Sequence, residues 1–357
     1  MIGTTTDAGP IGRGDNVGVR ALVGRGSDLT LGKERTSQVR RVERRARQYL
    51  ADAVAPAPAR PSNGGGRPAR PAAARDVSAQ RPTSPVVALG EPTDRQGGWG
   101  PSDAFVPHPE PTMTRHDLLR GLHEVLSPRT YLEIGVNEGS SLTLSRAKSV
   151  GVDPDFVVRR PLHCDLDLVK AKSDDFFSRP DALAHFDGSP VDLAFIDGMH
   201  LSEFAVRDFI NVERHLAPSG VAVCDDVLPR NALEAARVRR TGAWAGDVYK
   251  LVELVSRRRP DLVVVLINTW PTGTAIVVGA DPSSTVLEEA YPSELAHLEA
   301  VDPQQPPQEY MSRAAAVDPA VLLVSEAWPL LVAARDSGDS SLVERAKEIL
   351  RSIPTLG

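Results

Sequence analysis

The sequence predicts an α/β fold: a doubly wound, mostly parallel sheet with helices on both faces. Three observations carry this. From Thr114 onward, short apolar runs alternate with amphipathic helical stretches, the pattern of repeated βα units. The runs are almost continuously apolar, as strands buried on both faces are. The last two runs are separated only by the tight turn "TWPT", so they must lie antiparallel to each other.

The elements follow in order. Thr114 and Asp117 form a helix-start pair, and Leu118, Leu119, Leu122, Val125 and Leu126 make one apolar helix face. "TYLEIGV" (130–136) is the first strand, with a glycine turn and a helix expected after it. "SVGVD" (149–153) is the second strand and "DLVKAKS" (167–173) the third. "VDLAFID" (191–197) and "GVAVCDD" (220–226) are the fourth and fifth, flanking a helix over 201–216. The helical stretch "GDVYKLVELVSRRRP" then precedes the final pair, "LVVVLIN" (262–268) and "GTAIVVG" (273–279), for seven strands in all. Beyond Asp281 the pattern is helical and closes on Leu342, Val343, Ala346, Ile349, Leu350 and Ile353.

Composition divides the 357-residue chain. Residues 1–110 carry 16 Lys and Arg against 11 Asp and Glu, and the remainder 25 against 36. An acidic body with a basic arm argues against a dedicated DNA-binding domain. Aromatic residues are only 5%, which leaves little for a base-stacking platform, so no nucleic-acid partner is expected. "APAPARPSNGGGRPARPAAA" (55–74) cannot bury enough apolar surface to offset its ordering entropy. Within the arm, "KERTSQVRRVERRARQYLADAV" has helical spacing and reads as a solvated basic helix first, and as a basic helix for a partner or an anionic surface second. The expected organisation is a low-complexity, largely disordered basic arm over 1–112, a catalytic domain over 113–281 and a helical extension over 282–357. Cys164 and Cys224 offer neither a disulfide framework nor a zinc cluster. The first 20 residues show no apolar signal-type core, and no stretch approaches the ~20 apolar residues of a membrane span. A reducing, cytoplasmic setting is expected.

In an open sheet of this kind, ligands bind outside the carboxyl ends of the strands. The first tip reads "EIGVNEGSS" (133–141), where Gly135 and Gly139 permit a tight turn and close backbone approach. The second ends in Asp153, which can accept hydrogen bonds from a ribose diol. The third is Ser173-Asp174-Asp175, within reach of an adenine edge. The G-x-G-x-x-G of a pyrophosphate cradle is absent, which disfavours a nicotinamide-dependent oxidoreductase. Asp197 ends the fourth strand, and Asp225 and Asp226 end the fifth. These three have no partnered Lys or Arg in the local sequence, and a bound cation would relieve their repulsion. Oxygen-only ligands favour Mg²⁺. The other reading has Asp197 touching cofactor alone while Asp225 and Asp226 cap a helix.

"YLEIGVNEGSSL", "GVDP", "FIDGMH" and "CDDV", in that order, resemble a class I S-adenosylmethionine-dependent methyltransferase. The likeness covers roughly 113–280 and is nearest to metal-dependent small-molecule O-methyltransferases of the macrocin and catechol type. It implies a Rossmann-like seven-stranded sheet with the last strand reversed. It implies that Glu133, Gly135, Asn137, Gly139 and Ser140 hold the methionine part of S-adenosyl-L-methionine, Asp153 the ribose, and Ser173 and Asp174 the adenine. Asn137 stands where a further glycine is usual in this family. Asp197, also near the cofactor, would share Mg²⁺ with Asp225 and Asp226. His200, three residues after Asp197, would take the acceptor's proton; a helix cap is its alternative role. The expected activity is O-methylation of a small-molecule hydroxyl, on a sugar or glycoside first and a phenol or catechol second. A non-catalytic or metal-independent S-adenosylmethionine-binding protein is the alternative. "TGAWAGDVYK" (241–250) lies where an acceptor would arrive; Trp244, Asp247, Tyr249 and Lys250 there read equally as acceptor contacts or as packing. Arg214 and His215 read as structural cations at a helix end.

Overall fold

The computed structural model describes residues 104–357. The predicted arm segments 33–54 and 55–74 lie outside the described residues. The strands are β1 Met113–Thr114, β2 Thr130–Ile134, β3 Lys148–Val152, β4 Leu166–Val169, β5 Val191–Ile196, β6 Leu216–Asp225, β7 Val263–Ile267, β8 Thr269–Trp270, β9 Thr274–Val278 and β10 Ala316–Val317. The main helices of the first half are α1 Arg115–Leu126, α2 Ser173–Phe177, α3 Ser202–Glu213 and α4 Tyr249–Arg258.

The main sheet runs β10-β7-β9-β6-β5-β2-β3-β4. Strand β9 is antiparallel to both neighbours, and every other pairing in this sheet is parallel. The predicted seven strands are therefore present with the last one reversed. The two-residue β10 adds an eighth at the edge. The strand order reverses between β2 and β5, which places the crevice of a doubly wound sheet beyond their carboxyl ends. All six residues of β5 are buried. Its one acid, Asp192, accepts the Arg129 backbone N–H at 2.7 Å, so the strand carries no unpaired charge into the sheet.

The helices divide between the faces. Leu118, Leu119 and Leu122 of α1 pack with Trp328, Leu331, Val343 and Ala346 of the C-terminal helices 327–337 and 340–351 on one face. Phe209 and Val212 of α3 pack with Leu251 and Val255 of α4 on the other. The C-terminal helices thus supply sheet cover. Helix α1 starts as the sequence predicts: Thr114 accepts the Asp117 N–H, and the Asp117 carboxylate accepts from the Thr114 N–H. Thr114 also belongs to β1, whose register pairs Met113 with Thr269 and Thr114 with Trp270. This small ladder pins the start of α1 beside the crevice.

Two local expectations are corrected. No α-helix follows the first glycine turn; one turn of 3-10 helix covers Leu142–Leu144. Ser145 ends it, because its hydroxyl accepts the Ala147 N–H and meets Ser149 Oγ at 2.9 Å, a local bond that competes with helix. The third strand stops at Val169, before the predicted end, and Ser173, Asp174 and Asp175 begin α2, where acids complement the helix dipole.

Candidate functional site

The carboxyl ends of β2, β3, β5 and β6 open on one cavity of about 970 Å³. Gly135 joins the first and third of these tips. Its φ is +91°, and a Cβ there would fall 1.8 Å from the Asp197 carbonyl oxygen, so only glycine fits. The Asp197 N–H in turn donates to the Ile134 carbonyl at 2.9 Å. Asp153 laces the first tip to the second. Its carboxylate accepts the Asn137 N–H at 2.8 Å and the Asp155 N–H at 2.6 Å. A carboxylate offers about four acceptor positions, so Asp153 keeps capacity for a diol on its cavity side.

Of the residues assigned to the methionine part, Gly135 and Asn137 line this cavity; Glu133, Gly139 and Ser140 do not. Glu133 is fully buried behind the turn, accepting from the Tyr131 and Ser141 hydroxyls at 2.7 Å each. Burial pushes its carboxyl up to about 7, against the pull of those two hydroxyls. Gly139 has φ +75° and closes the turn with its N–H on the Val136 carbonyl. Ser173 and Asp174 line the cavity. Arg207 grips the Asp174 carboxylate from Nε at 3.0 Å and Nη2 at 2.8 Å.

The acidic group is split. Asp225 and Asp226 are adjacent, and successive strand side chains point to opposite faces. Asp226 leaves the strand with φ +62° and lines the main cavity. It accepts from the Thr272 hydroxyl, and its Oδ2 lies 3.3 Å from His200 Nδ1. Asp225 faces Arg115 instead, Oδ2 to Nε at 3.0 Å. The two meet charge to charge without an aligned hydrogen bond, and both atoms are buried with no other partner. The same guanidinium reaches Asp197 at 3.7 Å. The cluster is therefore not without a basic partner: Arg115, distant in sequence, reaches two of its three carboxylates. Burial, then Asp225 and Asp226, hold the Asp197 carboxyl well above the usual carboxylate range; Arg115 pulls the other way. Burial and then Asp226 push Asp225 up to about 8, again opposed by Arg115. One guanidinium thus leaves the three acids under-neutralised.

Asp197, His200 and Asp226 bring one ligand atom each within 4.8 Å of one another. Two carboxylates and an imidazole in that geometry fit a divalent cation. His200 Nδ1 lies 2.6 Å from the Trp244 carbonyl. A carbonyl only accepts, so Nδ1 carries the proton and Nε2 offers the lone pair. Nε2 stands 3.6 Å from Asp197 Oδ1. The Trp244 indole stacks on the imidazole, 4.9 Å between centroids and 9° between planes. The position ascribed either to proton transfer or to capping is thus a rigidly held imidazole lining the cavity.

Gly242 and Ala243 of "TGAWAGDVYK" also line the cavity, whereas Asp247, Tyr249 and Lys250 pack beneath it. Asp247 is fully buried, accepting the Ser202 N–H at 2.8 Å and pairing with Arg237 and Lys250. Tyr249 and Lys250 are buried too. Arg214 pairs with Glu288 and His215 stacks on Phe177 at 5.9 Å, both outside the cavity.

Arg115, Asp208 and Trp270 are among the cavity residues that sequence reasoning missed. Arg115 gave no local signal. Asp208 was signalled by its place at helical spacing between the apolar Ala205 and Val212; its carboxyl is buried, leaves Oδ1 without a partner and is pushed by burial up to about 7. Trp270, in the turn before the last strand, lines the cavity yet is 55% exposed.

Residues 132–227 match the family model described as "Methyltransferase domain". No curated protein matches the chain. Among similar solved structures, the O-methyltransferase TomG from Streptomyces achromogenes, in complex with SAM, is 19% identical. The alignment covers 47% of this chain and 80% of that one, with a TM-score of 0.35. An O-methyltransferase from Bacillus cereus, in complex with SAH, is 15% identical over 46% of this chain and 80% of that one, with a TM-score of 0.34. MycE methyltransferase, in complex with Mg, SAH and mycinamycin VI, is 16% identical over 46% and 48%, with a TM-score of 0.32. Among the described residues no helix is long and apolar enough to cross a membrane. Residues 132–227, which run from the first strand and its glycine turn past the fifth strand tip, are thus similar to a methyltransferase domain.

Proposed function

We propose that this protein transfers the methyl group of S-adenosylmethionine to a hydroxyl of a small molecule. One observation carries the reading. A single cavity is lined by Asp153, Ser173 and Asp174 and also by Asp197, His200 and Asp226, so a diol acceptor and a proton acceptor border one space. The bound cofactor supplies an electrophilic methyl on a sulfonium. Gly135 and Asn137 fix the turn against which it lies, and Asp153 accepts its ribose hydroxyls. His200 Nε2 takes the proton of the acceptor hydroxyl as the oxygen forms its bond to the methyl carbon. A cofactor held there would give up its methyl with cleavage of the carbon–sulfur bond and would keep that electron pair on sulfur. Trp244 holds the imidazole in the required tautomer. Catalysis is chiefly alignment of oxygen, methyl and sulfur.

Asp197 and Asp226 are the proposed holders of a divalent cation. A cation there would lower the pKa of a hydroxyl and steady its developing charge. The same Nε2 cannot hold an ion and accept a proton, so an oxygen-preferring ion such as Mg²⁺, with His200 as the base, is the consistent assignment. A metal-independent reaction is the second reading, favoured by the Arg115–Asp225 contact, since a fixed cation already stands in the cluster. For the acceptor, the exposed face of Trp270 favours a ring with a flat apolar side, a sugar or glycoside first and a phenol second.

The test is transfer of labelled methyl from S-adenosylmethionine to a panel of glycosides and phenols, with Mg²⁺ and with EDTA. Product in the Mg²⁺ arm alone supports the full reading. Product in both arms selects the metal-independent form. No product, together with no cofactor binding, overturns the activity.

A further inference from the structure

Asp197, Asp225 and Asp226 end two neighbouring strands, yet only Asp197 and Asp226 group with His200. Asp225 is withdrawn from that group by Arg115, whose Nε lies 3.0 Å from Asp225 Oδ2. The withdrawal is built into the fold. Arg115 is the first residue of α1, and its neighbour Thr114 is both the cap of that helix and a rung of the β1–β8 ladder. The guanidinium is therefore delivered from a fixed helix start. The contact is also incomplete: neither Asp225 Oδ2 nor Arg115 Nε finds an aligned hydrogen-bond partner. A buried carboxylate oxygen held by charge alone, beside two further carboxylates, is open to exchange of one cation for another.

We infer that Arg115 and a divalent cation compete for Asp225. With Arg115 in place, the ion has two carboxylates to bind; with Arg115 displaced, it gains a third. Arg115 thereby sets how tightly this site holds an ion and keeps the cluster partly neutralised when none is bound. The inference rests on the cation reading of the site proposed above.

The test is titration of the full chain with Mn²⁺, reading free ion by its paramagnetic resonance signal, which needs neither cofactor nor turnover. R115Q removes the competing charge and is expected to bind Mn²⁺ on the order of tenfold tighter than the parent. R115K keeps the charge and is expected to stay within about threefold of it. A lost positive charge also acts through the field alone, so the deciding comparison is a double-mutant cycle with D225N. On the D225N background, the effect of Arg115→Gln should shrink to about threefold or less. Unchanged or weaker binding by R115Q overturns the competition. So does a gain that persists undiminished with D225N, which would assign Arg115 a field effect only. Absence of Mn²⁺ binding in every variant overturns it as well. Calorimetry of S-adenosylmethionine on the same proteins tells that failure apart from failure of the methyl-transfer reading, since Arg115 lies among the acids and not at Asp153. Matching thermal melts across the variants check that R115Q folds; should it not, R115M, which keeps an apolar stem and drops the charge, takes its place in the cycle with D225N and the same outcomes decide.

Discussion

Trp244 holds His200 in two ways at once: its carbonyl accepts from His200 Nδ1 at 2.6 Å, and its indole stacks on the imidazole 4.9 Å away. The backbone closes in from the same loop. At Gly246 a Cβ would fall 1.7 Å from the His200 carbonyl oxygen. The imidazole is thereby fixed with Nε2 free. Replacing His200 by glutamine should lower kcat by roughly 10²–10⁴, the usual share of a positioned base. Cofactor affinity by calorimetry should be unchanged. A normal turnover rate for H200Q would remove His200 from proton transfer.

Gly135→Ala should destabilise the fold by about 3 kcal/mol, within the range of substitutions that force a special backbone conformation and a clash. A side chain at φ +91° is strained, and its Cβ collides with the Asp197 carbonyl. Chemical denaturation should show a lower midpoint at unchanged slope. A midpoint equal to the parent's would mean the two strand tips do not touch as described.

Glu133 gives a pH signature. Its carboxyl rises from 4.5 to about 7 in the fold, chiefly through burial. Between those values the unfolded chain has already released a proton that the folded chain retains. Stability from this group is therefore full below pH 4.5 and falls as pH rises through about 7. Glu133→Gln should flatten that decline, by roughly 1–3 kcal/mol across the window at ~1.4 kcal/mol per pKa unit. Denaturation midpoints at pH 5 and pH 8 measure it; equal declines in parent and variant would contradict the burial account.

Much of the fold is legible locally. The run Val191–Ile196 announces a strand buried on both faces, and all six residues are buried. Thr114 and Asp117 announce a capping box, and both of its bonds are present. The tip acids Asp153 and Asp197 are legible because a strand's end needs no knowledge of the rest of the chain, and both line the cavity. The failures are contacts made across long sequence distances or by side-chain direction. Arg115 reaches Asp225 only because α1 starts at the sheet's carboxyl edge. Glu133 looks like a cofactor contact in "YLEIG", but Tyr131 and Ser141 seal it behind the turn. Asp225 and Asp226 read as a pair, yet strand alternation and the left-handed φ of Asp226 send them to different partners. The missing helix after the glycine turn reflects Ser145, whose hydroxyl bonds to Ala147 and Ser149 end it after one turn.

Binding of S-adenosylmethionine in the cavity at the strand tips, with its ribose on Asp153, is the proposal on which the others depend. Calorimetric titration of the full chain with S-adenosylmethionine tests it most directly, in the parent and in Asp153→Ala. Saturable binding in the micromolar range is expected for the parent. The variant should lose about 1.5–3 kcal/mol, the worth of hydrogen bonds to a charged group. Absence of binding by the parent, or equal affinity in the two proteins, would contradict it.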